Sequence, residues 1–99
     1  MRLSPAHRHA ILALTREVLG DDARVLLFGS RVGDLGQGGD VDLLVECSQP
    51  LPARLDAEIR LGALFERALE GRRIDLIVVD PTTVPQPVHR VARTTGVPL

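Results

Sequence analysis

Apolar positions recur along the chain with two periods, and each period marks a different kind of element. Ile11, Leu14 and Val18 share one face at helical spacing. Ser4 followed by Pro5 supplies an N-cap and a first-turn proline, and Gly20 closes the segment, so a helix is predicted from Pro5 to Leu19. Three short apolar runs, 24–28, 41–46 and 74–79, read as strands. Residues 52–70 read as a second helix. Its apolar positions (Leu55, Ala57, Ile59, Leu61, Gly62, Leu64, Phe65, Ala68 and Leu69) cover more than half the circumference and leave Asp56, Arg60, Arg67 and Glu70 outward. The order helix, strand, glycine-rich loop, strand, helix, strand predicts a small α/β fold, a mixed sheet flanked by helices. Residues 1–80 form its body, and 81–99 are a Pro-rich tail. Within the tail, residues 85–93 are expected to make one or two helical turns ending at Gly96, with Val88 and Val91 packing back onto the domain.

The composition narrows the functional classes. Ninety-nine residues leave room for one domain with one modest core, and 44% hydrophobic with 25% charged residues is the balance of a globular chain. Two Phe, no Trp and no Tyr exclude aromatic platforms for single-stranded nucleic acid. A net charge of -1 gives no support to a surface that coats nucleic acid or an anionic membrane. All 12 basic residues other than His are Arg, so a Walker-type phosphate loop, which needs its Lys, is excluded, and Schiff-base chemistry with it. One cysteine, Cys47, precludes an internal disulfide and is expected to be a small buried side chain rather than a nucleophile. His7 and His9 diverge on their helix and are expected on a solvated face, and His89 carries no evident role. With neither a signal peptide nor a membrane span in view, the expected compartment is reducing and cytoplasmic.

The chemistry concentrates in 29–45, where five glycines separate two strands. Residues two apart in a strand share a face and lie about 6.5 to 7 Å apart, so Asp40 and Asp42 converge while Val41, Leu43 and Val45 turn into the core. Two such carboxylates repel unless a cation lies between them. Oxygen-only ligands favour a hard ion such as Mg²⁺, which completes its shell with water and substrate phosphates. Asp75 lies in the third strand on the face of Ile77 and Val79, where burial would be costly without compensation. If the strands are neighbours, it joins the other two. Gly29 and Ser30 end the first strand in a turn whose backbone N–H groups and hydroxyl can approach phosphate oxygens. Arg31 adds a positive fork.

This constellation resembles the polymerase-β-type nucleotidyltransferase superfamily, and within it the minimal nucleotidyltransferases that act as antitoxins beside HEPN-domain toxins. Phe28-Gly29-Ser30-Arg31, Gly39-Asp40-Val41-Asp42-Leu43-Leu44-Val45 and Arg73-Ile74-Asp75-Leu76-Ile77 carry the resemblance, with nine residues between Ser30 and Asp40. Two positions depart from the family pattern. Gly33 arrives one position early, and Gly39 stands where Ser is common, both in the phosphate-gripping loop. The resemblance implies a Mg²⁺-dependent transfer of AMP from ATP to a hydroxyl, often a Tyr of the HEPN partner. Gly29, Ser30 and Arg31 would hold the nucleotide, Asp40 and Asp42 would bind two Mg²⁺ ions, and Asp75 would complete one metal site and help deprotonate the acceptor. With no Tyr of its own, the chain is not its own tyrosyl acceptor.

Other readings compete. Asp40 and Asp42 would be only a polar loop edge, and Asp75 an edge-strand carboxylate paired with Arg72 or Arg73, if the three did not assemble. Arg31 would then pair with Asp34. An Asp-x-Asp phosphatase also needs Mg²⁺, but there the acids follow an apolar strand, whereas here glycines precede them. A degenerate nucleotidyltransferase fold would neutralise its partner by contact alone and tolerate changes at Asp40 and Asp42. Transfer to a small molecule or RNA would need a surface that a second chain supplies. The wide apolar face of the second helix is expected to be covered in part by another chain, in a hetero- or homo-oligomer.

Overall fold

The computed structural model describes residues 3–28 and 41–99. Helix α1 spans Pro5–Leu19, with the Ser4 hydroxyl accepting the His7 N–H at 3.0 Å. It stops at Gly20, whose φ of 98° is accessible to a residue without Cβ and whose N–H reaches the Arg16 carbonyl at 2.9 Å. Strands β1 (Arg24–Phe28) and β2 (Val41–Glu46) follow, then α2 (Arg54–Ala68), β3 (Ile74–Val79), α3 (Pro87–Thr95) and a two-residue β4 (Val97–Pro98). The sheet order is β3-β2-β1-β4. β1 runs antiparallel to β2 and to β4, while β2 and β3 are parallel, joined by α2 as the crossover. The sheet is therefore mixed and flanked by helices, as the pattern predicts.

Alternation along the strands divides the core in two. Val25, Leu27, Val41, Leu43, Val45, Ile74 and Val78 pack with Ile11 of α1 and Leu61 and Phe65 of α2. Leu26, Phe28, Leu44 and Val79 point the other way, onto Ala92 of α3. Both faces are covered, which is why the strands read as continuous apolar runs. Thr15, buried in α1, donates its hydroxyl to the Ile11 carbonyl at 2.7 Å and so leaves no polar atom stranded.

Several expectations are corrected. Helix α2 is shorter than 52–70: Ala53 has a non-helical φ of -132°, and at the far end Glu70 and Gly71 take left-handed φ values of 62° and 84° that unwind it. Leu55 and Ile59, counted among its apolar positions, are 59% and 70% exposed. The phase of α3 also differs. Val88 and Val91 stay exposed while His89 and Ala92 are buried, because a small residue, not a branched one, allows the helix to settle on Leu26 and Phe28. Gly96 explains the close fit: a Cβ there would lie 2.3 Å from the Ala92 carbonyl oxygen and 3.2 Å from Leu26 Cβ. His89, given no role by the sequence, fastens the start of α3 by accepting the Gln86 N–H on Nδ1 at 3.2 Å.

Two polar devices tie α2 and the segment leading into it to β3. Beyond the strand, Asp80 accepts the Leu51 N–H at 2.8 Å, the Thr82 N–H at 2.9 Å and the Thr82 hydroxyl at 2.6 Å. These bonds, the Thr82 hydroxyl first, lower its pKa to about 2. Alongside the strand, Val78 donates its N–H to Glu58 Oε2 at 2.9 Å and accepts from Arg54 Nη1 at 2.8 Å.

Candidate functional site

The site is built by register. In the parallel ladder Asp42 pairs with Asp75, and in the antiparallel ladder Asp42 pairs with Phe28. Paired residues in adjacent strands share a face and lie about 4.8 Å apart. Both carboxylates therefore stand side by side on the α3 side of the sheet, at the end where β1 finishes and β2 and β3 begin. Asp42 is half-buried and Asp75 exposed. The expected desolvation of Asp75 does not occur, since it occupies the second position of an edge strand and the apolar cover begins further along, at Ile77 and Val79. Its carboxylate can receive a ligand without a prior burial cost.

The other expected site residues, Gly29, Ser30, Arg31 and Asp40, lie outside the described residues, as does Asp34. In sequence they lie between Phe28, the register partner of Asp42, and Val41, which precedes Asp42 and pairs with Ile74. Among the described residues no group of three or more His, Cys, Asp and Glu assembles a metal site. The donor set that is described, an exposed carboxylate beside a half-buried one, suits a hard cation that keeps water and phosphate in the rest of its shell.

Elsewhere the titratable groups are structural. Cys47 is buried just past β2, and burial first, then Asp22 and Asp80, push its thiol pKa up, which makes it inert as a nucleophile. His9 is exposed as expected, whereas His7 is half-buried and sits 3.7 Å from Glu70. Recesses of about 750 Å³ along α3 and about 400 Å³ between Arg54 and His89 are lined by neither Asp42 nor Asp75. Among the described residues no helix is long and apolar enough to cross a membrane. The sequence reading missed the Arg54 and Glu58 bracket on Val78, although their spacing of four on a helix is a visible signal for a pair.

Known proteins share this fold. The family model described as the nucleotidyltransferase domain matches residues 10–94. No curated protein matches the chain. Among solved structures, one of the tri-AMPylated Shewanella oneidensis HEPN toxin in complex with MNT antitoxin superposes with a TM-score of 0.66 at 22% identity, covering 93% of this chain and 67% of the other. A mutant of the toxin–antitoxin MntA-HpeT gives 0.64 at 22% identity, covering 93% and 69%. At that identity the likeness is one of fold.

Proposed function

This chain belongs to the nucleotidyltransferase domain family, and from that premise we propose that it transfers AMP from ATP to a hydroxyl of a HEPN-type partner toxin and so acts as its antitoxin. The observation that carries the reading is the register pairing of Asp42 with Asp75 beside the end of β1. Two fold-level relatives appear in structures of HEPN or HpeT toxins with their antitoxins, one toxin being AMPylated. The chain has no Tyr, so a tyrosyl acceptor belongs to the partner. A reaction that draws on ATP suits a cytoplasmic protein.

Gly29 and Ser30 hold the β- and γ-phosphates through backbone N–H groups and a hydroxyl, with Arg31 as a charged fork. Asp40, Asp42 and Asp75 would hold Mg²⁺, two ions on this reading, and the metal would supply charge neutralisation to the transferring phosphoryl group. The acceptor oxygen forms its bond to the α-phosphorus as the bond to the bridging oxygen breaks, and pyrophosphate leaves. Asp75, exposed on the same face, takes the hydroxyl proton.

The test is an assay of labelled ATP with the HEPN-domain protein encoded beside this chain, comparing wild type with Asp42→Asn. Transfer by the wild type and a loss of a hundredfold or more in a variant that still binds its partner is the expected result. Equal neutralisation of the toxin by both, with no label transferred, would mean that the fold acts by contact alone.

A further inference from the structure

The outer edge of β3 is closed at one end and open at the other. The Val41 N–H reaches the Arg73 carbonyl at 3.0 Å, and the Cys47 N–H reaches the Val79 carbonyl at 2.9 Å. Those bonds fix which backbone groups of β3 face β2: residues 73, 75, 77 and 79 point inward, so Ile74, Leu76 and Val78 point their N–H and C=O groups away from the sheet. At Val78 both outward groups are taken, the N–H by Glu58 and the C=O by Arg54. At Ile74 and Leu76, among the described residues, no hydrogen bond reaches the outward groups. A strand edge without partners is a template for a further strand, and here, among the described residues, only the backbone groups on either side of Asp75 lack one, at the buried Ile74 and the half-buried Leu76.

We infer that Ile74 and Leu76 form a docking edge for an extended segment of the acceptor protein, which adds to β3 as a short strand and presents its hydroxyl side chain to the carboxylate pair. This rests on the nucleotidyl-transfer reading above and names how its protein substrate is held. Two donors and two acceptors at alternate positions are the spacing of a peptide backbone, not of a nucleotide. In an antiparallel addition, the residue opposite Asp75 falls between the two hydrogen-bonded positions. There paired Cα atoms approach to about 4.5 Å and side chains share a face. That face is the one carrying Asp75 and Asp42. The Arg54 and Glu58 bracket occupies the outward groups of Val78, so pairing is confined to the end of β3 beside Asp75 whatever the register of the added segment. Sequence recognition is then light, because the affinity comes from main-chain bonds, and several hydroxyl residues in one extended segment would be accepted in turn by a shift of two positions.

The test is residue-resolved amide hydrogen exchange on the full chain, free and with the HEPN-domain protein and ATP, with intact-mass detection of AMP in the same sample. In the free chain Ile74 and Leu76 exchange fast and Val78 slowly. With the partner, Ile74 and Leu76 slow by about tenfold or more while Val78 changes little. AMP on the partner with unchanged exchange at Ile74 and Leu76 would overturn the docking edge and leave the transfer reading standing. Protection without any AMP would support the edge and overturn the transfer reading. Protection that rises with the chain's own concentration, without the partner, would mean that a second copy occupies the edge and would also overturn the proposal.

Discussion

Asp75→Asn is expected to stabilise the metal-free protein. Asp42 and Asp75 are register partners on adjacent strands, which puts their Cα atoms about 4.8 Å apart with side chains running parallel. Taking the charges as roughly 5 Å apart, Coulomb's law gives about 0.8 kcal/mol of repulsion in water and about twice that at half the dielectric constant. Asp75 is exposed, so the lower figure governs, and salt trims it further. Removing one charge with a side chain of the same shape should therefore add about 0.5 kcal/mol, or about 2–4 °C in Tm for a domain of this size. Urea unfolding in chelator measures the first effect. Titration with Mg²⁺ measures the second: at ten times its Kd the ion adds about 1.4 kcal/mol to the wild type and far less to the variant. A variant less stable than wild type in chelator, together with a wild type indifferent to Mg²⁺, would refute the claim that this pair is held apart from its stability optimum for a cation.

Further outcomes follow from the packing and the polar ties. The pKa of Asp80, held at about 2 by Thr82 and Leu51, lies below its unfolded value, so its contribution is present above about pH 4 and is lost as pH falls toward 2. Urea midpoints across that range should fall in the wild type and fall less steeply in Asp80→Asn. Phe65 is fully buried against the sheet, and Phe65→Ala should cost about 3–5 kcal/mol by denaturant unfolding. Gly96→Ala places a Cβ 2.3 Å from the Ala92 carbonyl oxygen; about 1–3 kcal/mol of destabilisation is expected, with the fastest exchange appearing in α3 and β4. Glu58→Ala leaves the Val78 N–H without its acceptor and should cost about 1–2 kcal/mol, with faster exchange at Val78.

Local signals were legible where they were unopposed. Ser4, Pro5 and Gly20 fix both ends of α1, and the apolar runs fix three strands to the residue. The alternation at Val41, Asp42 and Leu43 placed Asp42 away from the core, and the parallel register to Asp75 completed what the spacing only suggested. Legibility failed where tertiary contact decides. Nothing in a two-residue run containing Pro98 announces β4, which exists because β1 offers it an edge. The valines of α3 carry the stronger hydrophobic signal, yet helix and strand come close only through Ala92 and Gly96. The exposure of Asp75 depends on β3 being the edge strand, which is a property of strand order and not of the local sequence.

The account's central claim is that Asp42 and Asp75 serve nucleotidyl transfer to a protein. Intact-mass analysis of both chains after incubation with ATP, Mg²⁺ and the HEPN-domain partner tests it most directly. The account predicts one or more added AMP masses on the partner, none on this chain, and their disappearance with Asp42→Asn. Unmodified partner in a stable, neutralised complex would contradict it.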